Sequence, residues 1–114
     1  MNLNRQDYND AILITVAEAR IDATVAIQFK DKLRELTDGG PARVVLDLGQ
    51  VQFLDSSGLG AVVGAMKQLG PDRKLELADL TPVVEKVMRL TRIDTVFTIH
   101  SDRSAALAGL DPVT

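Results

Sequence analysis

The stretch Val44-Val45-Leu46-Asp47-Leu48, followed after Gly49-Gln50 by Val51-Gln52-Phe53-Leu54-Asp55-Ser56-Ser57-Gly58-Leu59-Gly60, decides how this chain folds. Its first five residues do not alternate apolar with polar, which is the pattern of a strand covered on both faces, as in the parallel sheet of an α/β protein. A short apolar run, Val51 to Leu54, then leads into the polar turn Asp55-Ser56-Ser57-Gly58. Beyond it Leu59, Val62, Val63, Met66 and Leu69 fall on one stripe of a helix, which Gly70-Pro71-Asp72 stops. The stretch therefore reads as strand, polar corner, helix.

The flanks repeat that grammar. Towards the N-terminus, Ile12-Leu13-Ile14-Thr15-Val16 is a β-branched strand behind the turn signal Asn9-Asp10, with a hairpin partner in residues 3–8. Asp22 stands as the expected N-cap of a helix whose apolar face is Val25, Ala26, Phe29, Leu33 and Leu36, ended by Gly39-Gly40-Pro41. Towards the C-terminus, Leu75 to Ala78 is a strand, and Thr81-Pro82 caps and opens a helix with Val83, Val84, Val87, Met88 and Leu90 on one side. Val96-Phe97-Thr98-Ile99 is a last strand and Ser101 to Leu110 a last helix. Strands and helices alternate from end to end, which predicts one domain over residues 1–114, an α/β or α+β layer with a mixed sheet.

Composition narrows the chemistry. The chain has 114 residues, 13 Lys and Arg against 16 Asp and Glu, and a formal charge of −3 with both signs interleaved. It lacks the clustered basic footprint and stacking aromatics of a nucleic-acid binder, having three Phe, one Tyr and no Trp. No apolar run approaches the roughly 20 residues of a membrane span, and the polar start Met1 to Asp7 is not a signal peptide. With no cysteine, disulfides, thiolate catalysis and sulfur-held zinc are excluded, and a reducing, cytoplasmic setting is expected.

Enzyme readings fail on inventory. His100 is the only histidine, so a His-pair metal site is impossible, and it is expected to decorate a strand end. The serines of the polar corner lack the glycine two places ahead that a nucleophile elbow requires. Gly58, Gly60 and Gly64 follow a strand and open a helix, with Asp79 placed 21 residues after Gly58 where a ribose-binding acid would stand, which raises the alternative of a small nucleotide-binding protein. Their spacing is GxGxxxG rather than GxGxxG, they lie mid-chain, and no Walker lysine follows. The plainer reading is that Gly58 permits a tight turn while Gly60 and Gly64 let the helix pack on the sheet. Ser56 or Ser57 is expected to cap that helix, although one cap needs only one such residue and three polar residues in a row suit a surface that a partner reads or modifies. Asp47, in an apolar strand, is either a buried hydrogen-bond acceptor or solvent-facing.

Together, the strand 44–48 and the motif Val51-Gln52-Phe53-Leu54-Asp55-Ser56-Ser57-Gly58-Leu59-Gly60 resemble the signature of STAS domains, above all the stand-alone bacterial anti-sigma factor antagonists. The resemblance extends to Ala19-Arg20-Ile21-Asp22 and to Leu80-Thr81-Pro82-Val83-Val84, so it covers nearly the whole chain. It implies a mixed sheet with about four helices packed mainly on one face. It also implies a partner switch in which Ser56 is phosphorylated by an anti-sigma factor of histidine-kinase ATPase fold acting on serine, and a PP2C-type phosphatase restores it. The resemblance places Asp22, Asp55, Ser56, Ser57 and Gly58 at the partner surface, with no cofactor, metal, catalysis, nucleic acid or membrane involved. Within the same family, the STAS subunit of a lipid-transporting ABC system, bound to its cytoplasmic ATPase, is the alternative. Ala19 departs from the family, which often has glycine there, and no appended sensor, coiled coil or transporter segment is expected.

Overall fold

The computed structural model describes residues 1–113. Five strands form one sheet: β1 (Leu3–Asp7), β2 (Ala11–Val16), β4 (Arg43–Asp47), β6 (Lys74–Ala78) and β7 (Thr98–His100), in the order β1-β2-β4-β6-β7. Only the hairpin β1–β2 is antiparallel; β2, β4, β6 and β7 run parallel to one another. Two further strands, β3 (Arg20–Ile21) and β5 (Phe53–Leu54), pair in parallel as a separate two-stranded piece. The helices are α1 (Ala26–Leu36), α2 (Ser56–Leu69), α3 (Pro82–Leu90) and α4 (Arg103–Ala106), with a 3-10 turn at Ile93–Thr95.

The central strands carry apolar side chains on both faces because both are covered. Alternation sends Ile12, Ile14, Val44, Leu46, Leu75 and Leu77 to one side, where they pack with Phe29 and Leu33 of α1, Leu59 and Val62 of α2, and Val84 and Met88 of α3. The other side presents Ala11, Leu13, Val45 and Ala78 to Ala106 and Leu107 of the α4 segment. The mixed α/β layer, with three helices on one face and one short helix on the other, is the fold expected.

Several local readings need correction. Asp22 does not cap α1: Val25 is its N-cap, with no side-chain bond, and the Asp22 carboxylate instead closes an Asx turn onto Thr24. A side chain that bonds two residues ahead is spent before the helix begins. Neither Ser56 nor Ser57 caps α2; Asp55 does. The last strand is Thr98–His100 rather than 96–99, since Val96 caps the end of the 3-10 turn, its N–H donating to Ile93 O. The last helix shrinks to Arg103–Ala106, and the chain leaves it through Gly109 at φ 80°. Thr81 caps α3 as read, accepting from Val84 N while its hydroxyl donates to Val51 O at 2.7 Å.

Candidate functional site

The sheet delivers two chain segments to the same place. β2 and β4 are parallel neighbours, and the chain leaving each at its carboxyl end forms β3 and β5, which pair again with Arg20 opposite Phe53 and Ile21 opposite Leu54. The next residues in that register are Asp22 and Asp55. Ala19 O accepts from both Gln52 N (2.7 Å) and Phe53 N (3.1 Å), tying the segments one step earlier. Ala19 is not among the residues with positive φ, so alanine is accommodated where the family often has glycine.

Asp55 joins the segments. Its Oδ1 accepts from Gly58 N at 2.8 Å, capping α2, and its Oδ2 accepts from Ala23 N at 3.2 Å in the loop before α1. One carboxylate thus satisfies a helix amide and fixes the neighbouring loop. Asp22 Oδ1 accepts from Thr24 Oγ1 at 2.6 Å and Thr24 N at 3.1 Å, and Oδ2 accepts from Arg20 Nε at 3.3 Å. The Thr24 hydroxyl, with Arg20 adding to it against the opposing pull of burial, holds the Asp22 carboxyl below its ordinary range.

Gly58 has a structural reason different from the tight turn expected. It lies inside α2 and is buried, and a Cβ placed on it would come 1.9 Å from Ile21 O. The glycine lets α2 press against β3, which is what holds Asp22 and Asp55 side by side. Gly64 meets the Lys30 side chain of α1 rather than the sheet, and Gly60 faces open space. Because Gly58, Gly60 and Gly64 all lie within α2, they build no phosphate-cradling loop, and the nucleotide-binding alternative is not favoured. Asp79 is engaged elsewhere, with its Oδ2 accepting from Arg103 N at 2.9 Å.

On this frame Ser56 and Ser57 are both exposed, at the first turn of α2. Among the described residues, neither hydroxyl makes a hydrogen bond. Around them lie groups that sequence reasoning passed over. The Arg20 guanidinium stacks on Phe53, 4.1 Å from the ring centroid, and Phe53 is 37% exposed. Ile27 on α1 is 76% exposed, and lines with Ala26, Lys30, Ser57, Gly60 and Ala61 a hollow of about 190 Å³ between α1 and α2. Its signal was available: Ile27 is the one large apolar residue of α1 off the Phe29–Leu33 stripe.

His100 and Asp47 belong to a second constellation, on the α4 face. Asp47 is buried and accepts from Arg103 Nε (2.7 Å) and Gly49 N (2.8 Å), which decides its role as an acceptor. Buried Glu76 takes Arg43 in a two-pronged pair, both contacts at 2.8 Å, and lies 2.6 Å from His100 Nε2. The Arg43 guanidinium, helped by His100 and opposed by burial, brings the Glu76 carboxyl down to about 2. Arg43 also donates to Ala106 O at 2.8 Å, so this network pins α4. Among the described residues no cluster of ligating side chains could hold a metal ion, and no helix is long and apolar enough to cross a membrane.

A four-stranded parallel run with one antiparallel edge hairpin, and a polar corner opening the helix after its second parallel strand, define a STAS domain. The chain belongs to that family, whose model matches residues 3–106. It is 33% identical over 103 residues to the Bordetella bronchiseptica protein called "Putative anti-sigma factor antagonist BtrV", covering 90% of this chain and 89% of that one. It is 25% identical over 104 residues to the anti-sigma-F factor antagonist RsfB of Mycobacterium tuberculosis, with 91% and 84% covered. Among solved structures, an anti-sigma factor antagonist from Mycobacterium paratuberculosis superposes with a TM-score of 0.82 at 23% identity, over 93% of this chain and 90% of that one.

Proposed function

We propose that this chain is an anti-sigma factor antagonist of a bacterial partner switch, a cytoplasmic binding protein that performs no catalysis of its own. Unmodified, it binds an anti-sigma factor with a histidine-kinase-like ATPase fold that acts as a serine kinase. In that complex Ser56 Oγ attacks the γ-phosphorus of ATP, the bond to the β–γ bridging oxygen breaks, ADP leaves, and the hydroxyl proton passes to a base on the kinase. A PP2C-type phosphatase hydrolyses the phosphoserine and restores the binding form. The observation that carries this reading is an exposed, unengaged Ser56 hydroxyl directly after the capping Asp55, at the start of a 14-residue helix.

The physics of that position favours a switch of partners over a switch of fold. A phosphoserine adds about −1.5 to −2 charges, and the helix amides and dipole offset its repulsion with Asp55 by roughly 0.3–1 kcal/mol. In a closed interface the same dianion must be desolvated beside Asp55 and Asp22, and a cost of about 3 kcal/mol weakens binding roughly a hundredfold.

Incubation with the serine-kinase anti-sigma factor of the same organism and ATP, followed by mapping of the phosphate, tests the assignment. Label is expected on Ser56, retained in Ser57→Ala and absent from Ser56→Ala. Label persisting on Ser56→Ala overturns it.

A further inference from the structure

Gly58 and Gly60 sit two residues apart on α2 and have opposite reasons to exist. Gly58 is imposed by the backbone of β3, as shown above. Gly60 is exposed, its φ is not positive, and a Cβ added there meets nothing within 4 Å. Glycine inside a helix weakens it relative to alanine, so the fold is less stable for having Gly60 and gains no packing or turn in return. The reason must lie outside the free molecule.

Its place on the helix supplies one. Gly60 follows Ser56 by four residues and Ser57 by three, so all three share a face. Side chains on a helix lean toward its N-terminus, so any side chain at 60 would cover the surface over the turn that carries Ser56. Gly60 also lines the hollow between α1 and α2 beside Ser57 and Lys30, with Ile27 on its apolar side. Phosphoryl transfer brings the reacting atoms to roughly 3–3.5 Å, so bulk added to the surface beside Ser56 limits how closely a kinase can approach it.

Resting on the function proposed above, we infer that Gly60 is a specificity-determining residue for that transfer. Its bare backbone lets the main chain of the kinase close on α2 next to Ser56, while Ile27 supplies the apolar contact beside it.

The test uses the full chain with Gly60→Ala and Gly60→Leu, and the exposed Gln68→Ala on the same helix as control. Gly60→Ala is expected to raise the melting temperature by about 3–6 °C. It is also expected to raise the KM for labelling of Ser56, and the Kd for the kinase without ATP, about tenfold. Gly60→Leu goes further in KM and Kd, and Gln68→Ala matches the wild type. Wild-type KM and Kd in both Gly60 variants overturn the inference and leave the functional reading standing. A lowered melting temperature in Gly60→Ala overturns it too, since the glycine would then serve the fold. A wild-type chain that neither binds nor accepts phosphate brings down the functional reading and this inference with it.

Discussion

Two pairs of acids, one on each side of this molecule, show how the same side chains serve different ends. Asp22 and Asp55, where α1 and α2 begin, spend their oxygens on amides and a hydroxyl within a few residues or across the β3–β5 pairing, and Arg20 is the one side-chain cation bonded to either among the described residues. Asp47 and Glu76, on the α4 face, are buried and are held by Arg103 and Arg43 from distant parts of the chain. The first arrangement fixes two loops and leaves charge at the surface, where the proposed partner would meet it. The second neutralises charge inside and fastens the last helix to the sheet. The two networks share no residue, so that a chemical change at the Asp22–Asp55 side need not loosen the α4 anchor.

Removing Glu76 should have the largest effect on stability. Glu76→Ala leaves Arg43 without its carboxylate and His100 without its acceptor, and is expected to cost about 3 kcal/mol in urea unfolding at pH 7. The pH dependence carries a defined sign. Because the folded carboxyl lies at about 2, below the roughly 4.3 of an unfolded glutamate, its contribution is complete above pH ~4.5 and is lost as pH falls towards 2. About 3 kcal/mol should disappear across that window in the wild type, and Glu76→Gln should flatten that limb. An unchanged acid limb in Glu76→Gln would show that the α4 anchor does not depend on ionised Glu76.

At the other pair the expected loss is smaller. Asp55→Ala removes the α2 cap and the acceptor for Ala23 N, both on the partly exposed edge, and should cost about 1–2 kcal/mol by the same measurement. Hydrogen exchange should quicken at Ala23 and Gly58 while Leu77 and Val45 in the central strands keep their protection. A loss as large as that of Glu76→Ala would erase the contrast between the two regions.

These regions also differ in how legible they were. The corner Asp55 to Gly60 was readable because its signals are local: a buried strand, three polar residues and an apolar stripe within one short window. Helices α1 to α3 followed from periodicity, and β2, β4 and β6 from the local run of apolar and β-branched residues, for the same reason, whereas β7 was placed two residues early. The ionic anchor was not readable, because Arg43 and Glu76 are 33 residues apart and Arg103 and Asp47 are 56 apart; only the parallel register of β4, β6 and β7 joins them. Asp22 was misplaced because an N-cap and an Asx turn want the same residue type, and the bond to Thr24 won. The β3–β5 pair has two residues on each side, too few to show alternation. Gly60 reads in sequence, like Gly64, as a packing glycine, and only the open space around it shows that it packs on nothing.

The smallest expected effect on stability is also the sharpest test of the separation. Ser56→Asp places a carboxylate at the first residue of α2, where the dipole favours it and Asp55 opposes it, so unfolding free energy should change by no more than about 0.5 kcal/mol. Amide chemical shifts should move in residues 20–25 and 53–60 and remain fixed from Arg103 to Ala106. If the proposed kinase is the partner, affinity for it should nevertheless fall, up to the roughly hundredfold estimated for the phosphate, since a closed interface there would have to desolvate the added charge beside Asp55. Shifts spreading to Arg103 and Asp47 would mean that the two acid pairs are coupled through β4, and that modification acts by altering the fold rather than the surface.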